Sequence, residues 1–213
     1  MAPSFNEENK LRKAGYKNIA GIDEVGRGPL AGPVLACAVV VSGKKPDIKN
    51  IRDSKQLSAQ QREKIYRELI RHPNVAWGIG TVSEKVIDRI NILEATKLAM
   101  ARAVKNLNSK MLEVRPSTFR QGIDFLILDG NFSIRSDIPQ KSIIKADEKV
   151  FSCSCASIIA KVVRDRLMQR YDKLYPRYDL AKNKGYPTKY HRDMIKKYGF
   201  CKIHRKSFVL TKT

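Results

Sequence analysis

Val34 to Val41 is an unbroken apolar run (Val-Leu-Ala-Cys-Ala-Val-Val-Val). A strand that carries no polar alternation is one buried on both faces of a sheet. A second strand precedes it over Asn18-Ile19-Ala20-Gly21-Ile22-Asp23, broken by the glycine-rich turn Glu24-Val25-Gly26-Arg27-Gly28-Pro29. Val75 to Val82 predicts a third strand, with Gly78 and Gly80 inside it. Between the second and third, Ser58 to Arg71 has the helical period: Ser58 is placed to cap, and Ile65, Leu69 and Ile70 share a face. Ser83-Glu84 opens a longer helix running to Leu107, with Val86, Ile87, Ile90, Leu93, Leu98, Met100 and Val104 at three- and four-residue steps. Phe125 to Leu128 and Ser142 to Asp147 predict two further short strands, and Ala156 to Tyr171 a helix. This order predicts an α/β fold: a mixed sheet with helices on both faces. From Tyr171 the texture changes, with aromatics, prolines, glycines and lysines interleaved. The chain therefore divides into a sheet domain over 1–170 and a small basic helical subdomain over 171–213.

Charge narrows the partner. The 213 residues carry 42 Lys+Arg against 21 Asp+Glu, a formal net charge of +21. Residues 141–213 hold 19 of those bases and only 6 of the acids. An excess concentrated in one third of a chain is the footprint of a protein that neutralises phosphates. An anionic membrane is the competing partner, but no apolar run approaches the roughly 20 residues of a membrane helix. The start, MAPSFNEENK, has no apolar signal segment. Cys37, Cys153, Cys155 and Cys201 form no C-x-x-C pair, and His72, His191 and His204 lack zinc-site spacing. The expectation is a soluble, cytoplasmic, monomeric protein of a reducing compartment.

Acidic residues at strand ends carry the chemistry. Asp23 and Glu24 close the first strand, Asp129 the fourth and Asp147 the fifth. A single aspartate in such a place merely caps a turn. Four of them converging on one edge repel unless cations neutralise them, and hard oxygen ligands select Mg2+ or Mn2+. Two such ions roughly 3.5–4 Å apart activate water and stabilise the leaving oxygen of a phosphodiester. Gly26-Arg27-Gly28 follows the Asp-Glu pair after the single residue Val25, and its glycines let backbone approach a sugar, where a 2′-hydroxyl distinguishes RNA from DNA. Lys55 and Lys161 are candidate phosphate contacts. Arg164 and Arg166 face solvent or Asp165 on the last long helix. His191 and His204 read as structural, since four carboxylates and two metals need no histidine base.

Asn18-Ile-Ala-Gly-Ile-Asp-Glu-Val-Gly-Arg-Gly-Pro-Leu-Ala-Gly-Pro-Val34 resembles the opening signature of the ribonuclease HII family. The resemblance continues through Asp53-Ser54-Lys55, Asn91 to Met100, Leu128-Asp129-Gly130, Ala156 to Val162, Asn183-Lys184-Gly185-Tyr186 and His204 to Phe208. It implies an RNase H-like fold and a Mn2+- or Mg2+-dependent endonuclease acting on RNA–DNA hybrids. It further implies incision 5′ of a ribonucleotide embedded in duplex DNA, leaving 3′-hydroxyl and 5′-phosphate ends. By the same resemblance Asp23, Glu24, Asp129 and Asp147 form the acidic metal site, and Gly26-Arg27-Gly28 reads the 2′-hydroxyl. Tyr186 packs on the deoxyribose beside the ribonucleotide. The chain departs from the family's usual pattern at Ala146 and Pro187, where glycine is common. The competing class is a nucleic-acid-binding protein on this fold without catalysis, which would have no use for four mutually repelling carboxylates. The sister ribonuclease HIII carries an added N-terminal domain, for which the about 20 residues ahead of Asp23 leave little room.

Overall fold

The computed structural model describes residues 2–43, 46–113 and 122–208. Strand β2 (Val34–Val41) pairs antiparallel with β1 (Ile19–Val25) on one side and β3 (Val75–Val82) on the other. Strands β4 (Phe125–Asp129) and β5 (Gln140–Ile143) join on the other side of β1, both parallel to it, giving the order β3-β2-β1-β4-β5. All eight residues of β2, next to the sheet centre, are buried. Alternate side chains of β1 and β2 fill two separate cores. Ala20, Ile22, Ala36 and Ala38 pack on helix α3 (Glu84–Glu113). On the opposite face Leu35, Cys37 and Val39 pack against α2 (Ala59–Arg71) and α5 (Phe151–Leu174).

Two contacts seat α5 against β1. Gly21 has no side chain because there is no room for one: a Cβ there would lie 2.3 Å from Ser152 Oγ and 2.5 Å from the Cys153 amide nitrogen. The N-terminal helix α1 (Asn6–Lys13) supplies the other, because buried Glu8 accepts from both the amide and the hydroxyl of Ser152 at 2.9 and 2.8 Å. A carboxylate there also meets the positive end of the α5 dipole. That tether lets α5 begin at Phe151, earlier than the period from Ala156 predicts. Helix α1 itself lies in a lead whose polar composition carries no strand or core signal.

Three further boundaries differ from the sequence expectation. Glu24 and Val25 belong to β1 rather than to the turn, since β2 pairs with them through Ala36 and Leu35. The fifth strand stops at Ile143: Lys145 adopts a left-handed conformation (φ 59°), and Asp147 sits in the four-residue helix α4 (Ala146–Lys149). The long helix is broken at Asn91 (φ 66°, ψ 169°), whose carboxamide accepts from the amides of Leu93 and Glu94 and restarts the second segment as a cap would.

Beyond Leu174 the chain forms a short 3-10 turn (Pro176–Tyr178), α6 (Leu180–Asn183) and α7 (Lys189–Tyr198). Leu180, Tyr178, Ile195 and Ile203 enclose a small core with Leu30, Ala31 and Met168. His191 and His204 are both buried there, their Nε2 atoms 3.0 Å apart.

Candidate active site

Parallel β1, β4 and β5 present their C-terminal ends on one edge of the sheet, the usual place for ligands in open α/β sheets. Ile22 pairs with Leu128, so Asp23 and Asp129 follow side by side on adjacent strands. Successive residues of a strand point to opposite faces. Asp23 accordingly shares the Gly21 face and turns toward α5 and Ser157, and its Oδ1 accepts from the Glu24 amide at 2.8 Å. Asp129 Oδ1 accepts from the Ala146 amide at 2.7 Å, which ties α4 to the end of β4 and brings in Asp147. Helix α4, not the end of a strand, thus presents the fourth carboxylate. Glu148 turns away from this edge, pairing with Lys145 at 3.2 Å.

These carboxylates lie within each other's field. Burial pushes Asp23 well above the ordinary aspartate value, and Glu24, Asp129 and Asp147 add to the rise. Burial also raises Glu24, opposed by Arg27, whose Nη1 stands 3.4 Å from Glu24 Oε1, and reinforced by Asp129. Asp147 is raised to about 6, by burial first and then by Asp129 and Asp53. Lys55 stands among them, with Nζ 4.0 Å from Asp147 Oδ2. Burial opposes its charge, yet the carboxylates of Asp147, Asp53, Asp23 and Asp129 together hold it above the usual lysine value. Among the described residues no three acidic, histidine or cysteine side chains already meet around a single point. The donor set nonetheless fits a hard divalent cation: Glu24 Oε2 is buried without a hydrogen-bonding partner, and neighbouring carboxylates raise three of the acids.

Gly26-Arg27-Gly28 begins where β1 ends. Gly26 has φ +92°, and a Cβ on it would strike Arg164 Nε at 2.2 Å. Only glycine suits that position. A Cβ on Gly28 would lie 3.6 Å from the Tyr186 ring, so the turn and the tyrosine are neighbours across the site. The Gly185 carbonyl accepts from the Leu30 amide at 2.7 Å and anchors the Tyr186 segment to the far end of the same loop. Tyr186 itself is 41 % exposed. Lys161 lies half-buried on α5 and pairs with Asp165 at 2.8 Å.

Three residues that bear on this site carried no such reading in the sequence. Asp53 is buried, caps the Ser54–Gln56 turn through the Lys55 amide at 3.0 Å, and adds a fifth carboxylate near Asp147. Its place beside Lys55 in a strand-free segment gave no hint of proximity to Asp147. Arg164 does not face solvent or Asp165. It is fully buried and donates to the carbonyls of Ala31, Pro33 and Lys184. Arg205, also fully buried, donates to Gly26, Arg27 and Gly32. The apolar surroundings of Arg164 on its helix were the available signal for its burial.

Comparison with known proteins places this architecture. A family model described as Ribonuclease HII matches residues 20–211. The chain is 48% identical to a ribonuclease HII of Syntrophus aciditrophicus over 208 residues, covering 97% of this chain and 91% of that one. It is 45% identical to a ribonuclease HII of Caldicellulosiruptor bescii over 205 residues, covering 96% and 93%. The structure of ribonuclease H2 from Pyrococcus horikoshii superposes with a TM-score of 0.66 at 29% identity, covering 90% of this chain and 93% of that one. Bst-RNase HIII, solved in complex with Mn2+, shares the fold with a TM-score of 0.62 at 19% identity, covering 86% of this chain and 63% of that one. The chain belongs to the ribonuclease HII family, the type 2 ribonucleases H.

Proposed function

We propose that this protein is a divalent-metal-dependent endonuclease that hydrolyses the RNA strand of RNA–DNA hybrids. On this reading it also incises duplex DNA 5′ of an embedded ribonucleotide, leaving 3′-hydroxyl and 5′-phosphate ends. The observation that carries the reading is the convergence of Asp23, Glu24, Asp129 and Asp147 at the C-terminal ends of β1 and β4 and on α4, in a chain of net charge +21. Such a cluster beside a polyanionic substrate is costly unless cations neutralise it. Asp23, Glu24, Asp129 and Asp147 would hold Mn2+ or Mg2+. The chemistry supplied by cations bound there is activation of a water and stabilisation of the leaving 3′-oxygen.

The chain's own residues do the rest. The Glu24 amide fixes the Asp23 carboxylate and the Ala146 amide that of Asp129, so that two ligands are oriented before substrate arrives. The Gly26-Arg27-Gly28 backbone lies against the ribose, and Tyr186 packs on the sugar that follows. Lys55 and Lys161 meet phosphates, the former at the acidic edge itself. Residues 171–213, with their excess of lysine and arginine, extend the grip along the duplex. Among the described residues no helix is long and apolar enough to cross a membrane.

The test is to incubate the protein with Mg2+ or Mn2+ and a DNA duplex containing one ribonucleotide, then map the cut. The expected product is a single incision at the 5′ side of the ribonucleotide with a 3′-hydroxyl end. Cutting at random positions, or only of single-stranded RNA, would contradict the reading.

A further inference from the structure

Among the described residues Arg164 and Arg205 are the two largest fully buried side chains, and neither has a carboxylate within ion-pair distance. Buried charge is expensive unless its hydrogen bonds are made. Both guanidinium groups instead spend their donors on backbone carbonyls. Arg205 Nη2, Nη1 and Nε donate to the carbonyls of Gly26, Arg27 and Gly32 at 2.6, 2.8 and 2.9 Å. Arg164 Nη1, Nε and Nη2 donate to Lys184, Pro33 and Ala31 at 3.0, 3.2 and 3.3 Å. Six carbonyls from one surface loop and the segment before Tyr186 are thus gathered around two cations.

The consequence for the turn follows from peptide geometry. In a trans peptide the carbonyl of one residue and the N–H of the next point in opposite directions. Fixing the Gly26 and Arg27 carbonyls on Arg205 therefore aims the Arg27 and Gly28 N–H groups away from it, as a pair. Among the described residues no acceptor stands on either N–H. The Tyr186 ring borders Gly28 on the side where a Cβ would be. A carbonyl bonded to a cation also polarises its own amide, making that N–H a stronger donor.

We infer that Arg205, braced by Arg164, is the positioning residue that presents the Arg27 and Gly28 amides as a fixed donor pair for the ribose 2′-hydroxyl. The inference deepens, and rests on, the reading of the site as ribonucleotide-specific. Arg205 touches neither substrate nor the carboxylates; it sets specificity through the loop. Lysine cannot replace its planar fork, which alone reaches three carbonyls at once.

The test compares wild type with Arg205→Lys on two duplexes of one sequence, with and without a single ribonucleotide. Expected for the variant is a kcat/KM on the ribonucleotide duplex lower by about ten- to a hundredfold, the scale of a lost charge-assisted contact. Its affinity for the all-DNA duplex should stay within about twofold, because phosphate contacts govern that binding. A parallel loss of both, or unchanged cleavage, would overturn the inference. Should Arg205→Lys not fold, amide resonances of the wild type decide the matter. Those of Arg27 and Gly28 should shift on adding the ribonucleotide duplex in Ca2+ and not on adding the all-DNA duplex; equal responses to both would overturn it. A wild type that leaves the ribonucleotide duplex uncut would remove the functional reading itself, a failure distinct from that of the clamp.

Discussion

Tyr186 and Asp147 each separate two properties that a purely structural residue would couple. The Tyr186 ring is 41 % exposed and lies against Gly28 rather than inside the small C-terminal core. Its removal should therefore spare the fold. We expect Tyr186→Ala to lower cleavage at a single ribonucleotide by about one to two decades, the scale of a lost stacking contact of roughly 1–3 kcal/mol. Cleavage within an RNA tract should fall less, because there a 2′-hydroxyl already hinders packing on the next sugar. Equal fractional losses on the two substrates would discard the junction-reading role. Asp147 has its pKa raised to about 6 from 3.8 by burial, Asp129 and Asp53. The folded state thus binds this proton more tightly than the unfolded chain. Stability is highest below the unfolded value, falls as pH rises through about 6, and stays reduced above. After screening by solvent and by Lys55, the destabilisation is on the order of 1 kcal/mol. Asp147→Asn should accordingly raise the melting temperature at pH 7.5 in chelator by several degrees while abolishing cleavage. A variant less stable than wild type under those conditions would contradict the assignment of Asp147 to a repelling cluster.

At the scale of elements, much of the architecture was legible, and the misses have local causes. Strand β2 announces itself by an unbroken apolar run, β3 by an apolar stretch, and helix α2 by its Ser58 cap and the shared face of Ile65, Leu69 and Ile70. The acidic edge was legible because Asp23 and Asp129 follow apolar strands. Asp147 was read at a strand end because Ser142-Ile143-Ile144 continues the extended pattern. What ends β5 is a backbone event invisible in composition: Lys145 turns left-handed and the Asp129 carboxylate captures the Ala146 amide. The clustering of Asp53 with Asp147 and the carbonyl partners of Arg164 and Arg205 depend on contacts between distant segments, which no local pattern encodes. Helix α5 shows how such contacts serve the site, since its approach to β1 at Gly21 places Ser157 beside Asp23. Gly21→Ala would drive a methyl into the Cys153 backbone, which has no flexible end to yield. The expected cost is about 1–3 kcal/mol of stability. Displacing α5 also displaces Ser157, so kcat should fall by about ten- to a hundredfold in the folded variant. Wild-type kcat with an unchanged melting temperature would show that α5 is free to shift without consequence.

The whole molecule sets a small buried acidic site within a strongly basic body. That opposition makes binding and catalysis separable: the bases draw the duplex in, while the carboxylates weaken binding by their own charge until they are neutralised. A protein that only bound nucleic acid would gain affinity by losing the acids and lose nothing else. Asp129 is the position at which this difference is measured most cleanly. Its Oδ1 accepts from the Ala146 amide, a bond that an asparagine carbonyl also makes, so Asp129→Asn removes charge while leaving α4 in place. The deciding measurement is the cleavage rate and duplex affinity of Asp129→Asn against wild type, on one ribonucleotide-containing duplex in Mg2+ or Mn2+. We expect the rate to fall by at least about three orders of magnitude, the loss of several kcal/mol of transition-state stabilisation, with affinity unchanged or tighter. A folded Asp129→Asn protein that turns over near the wild-type rate would contradict the account.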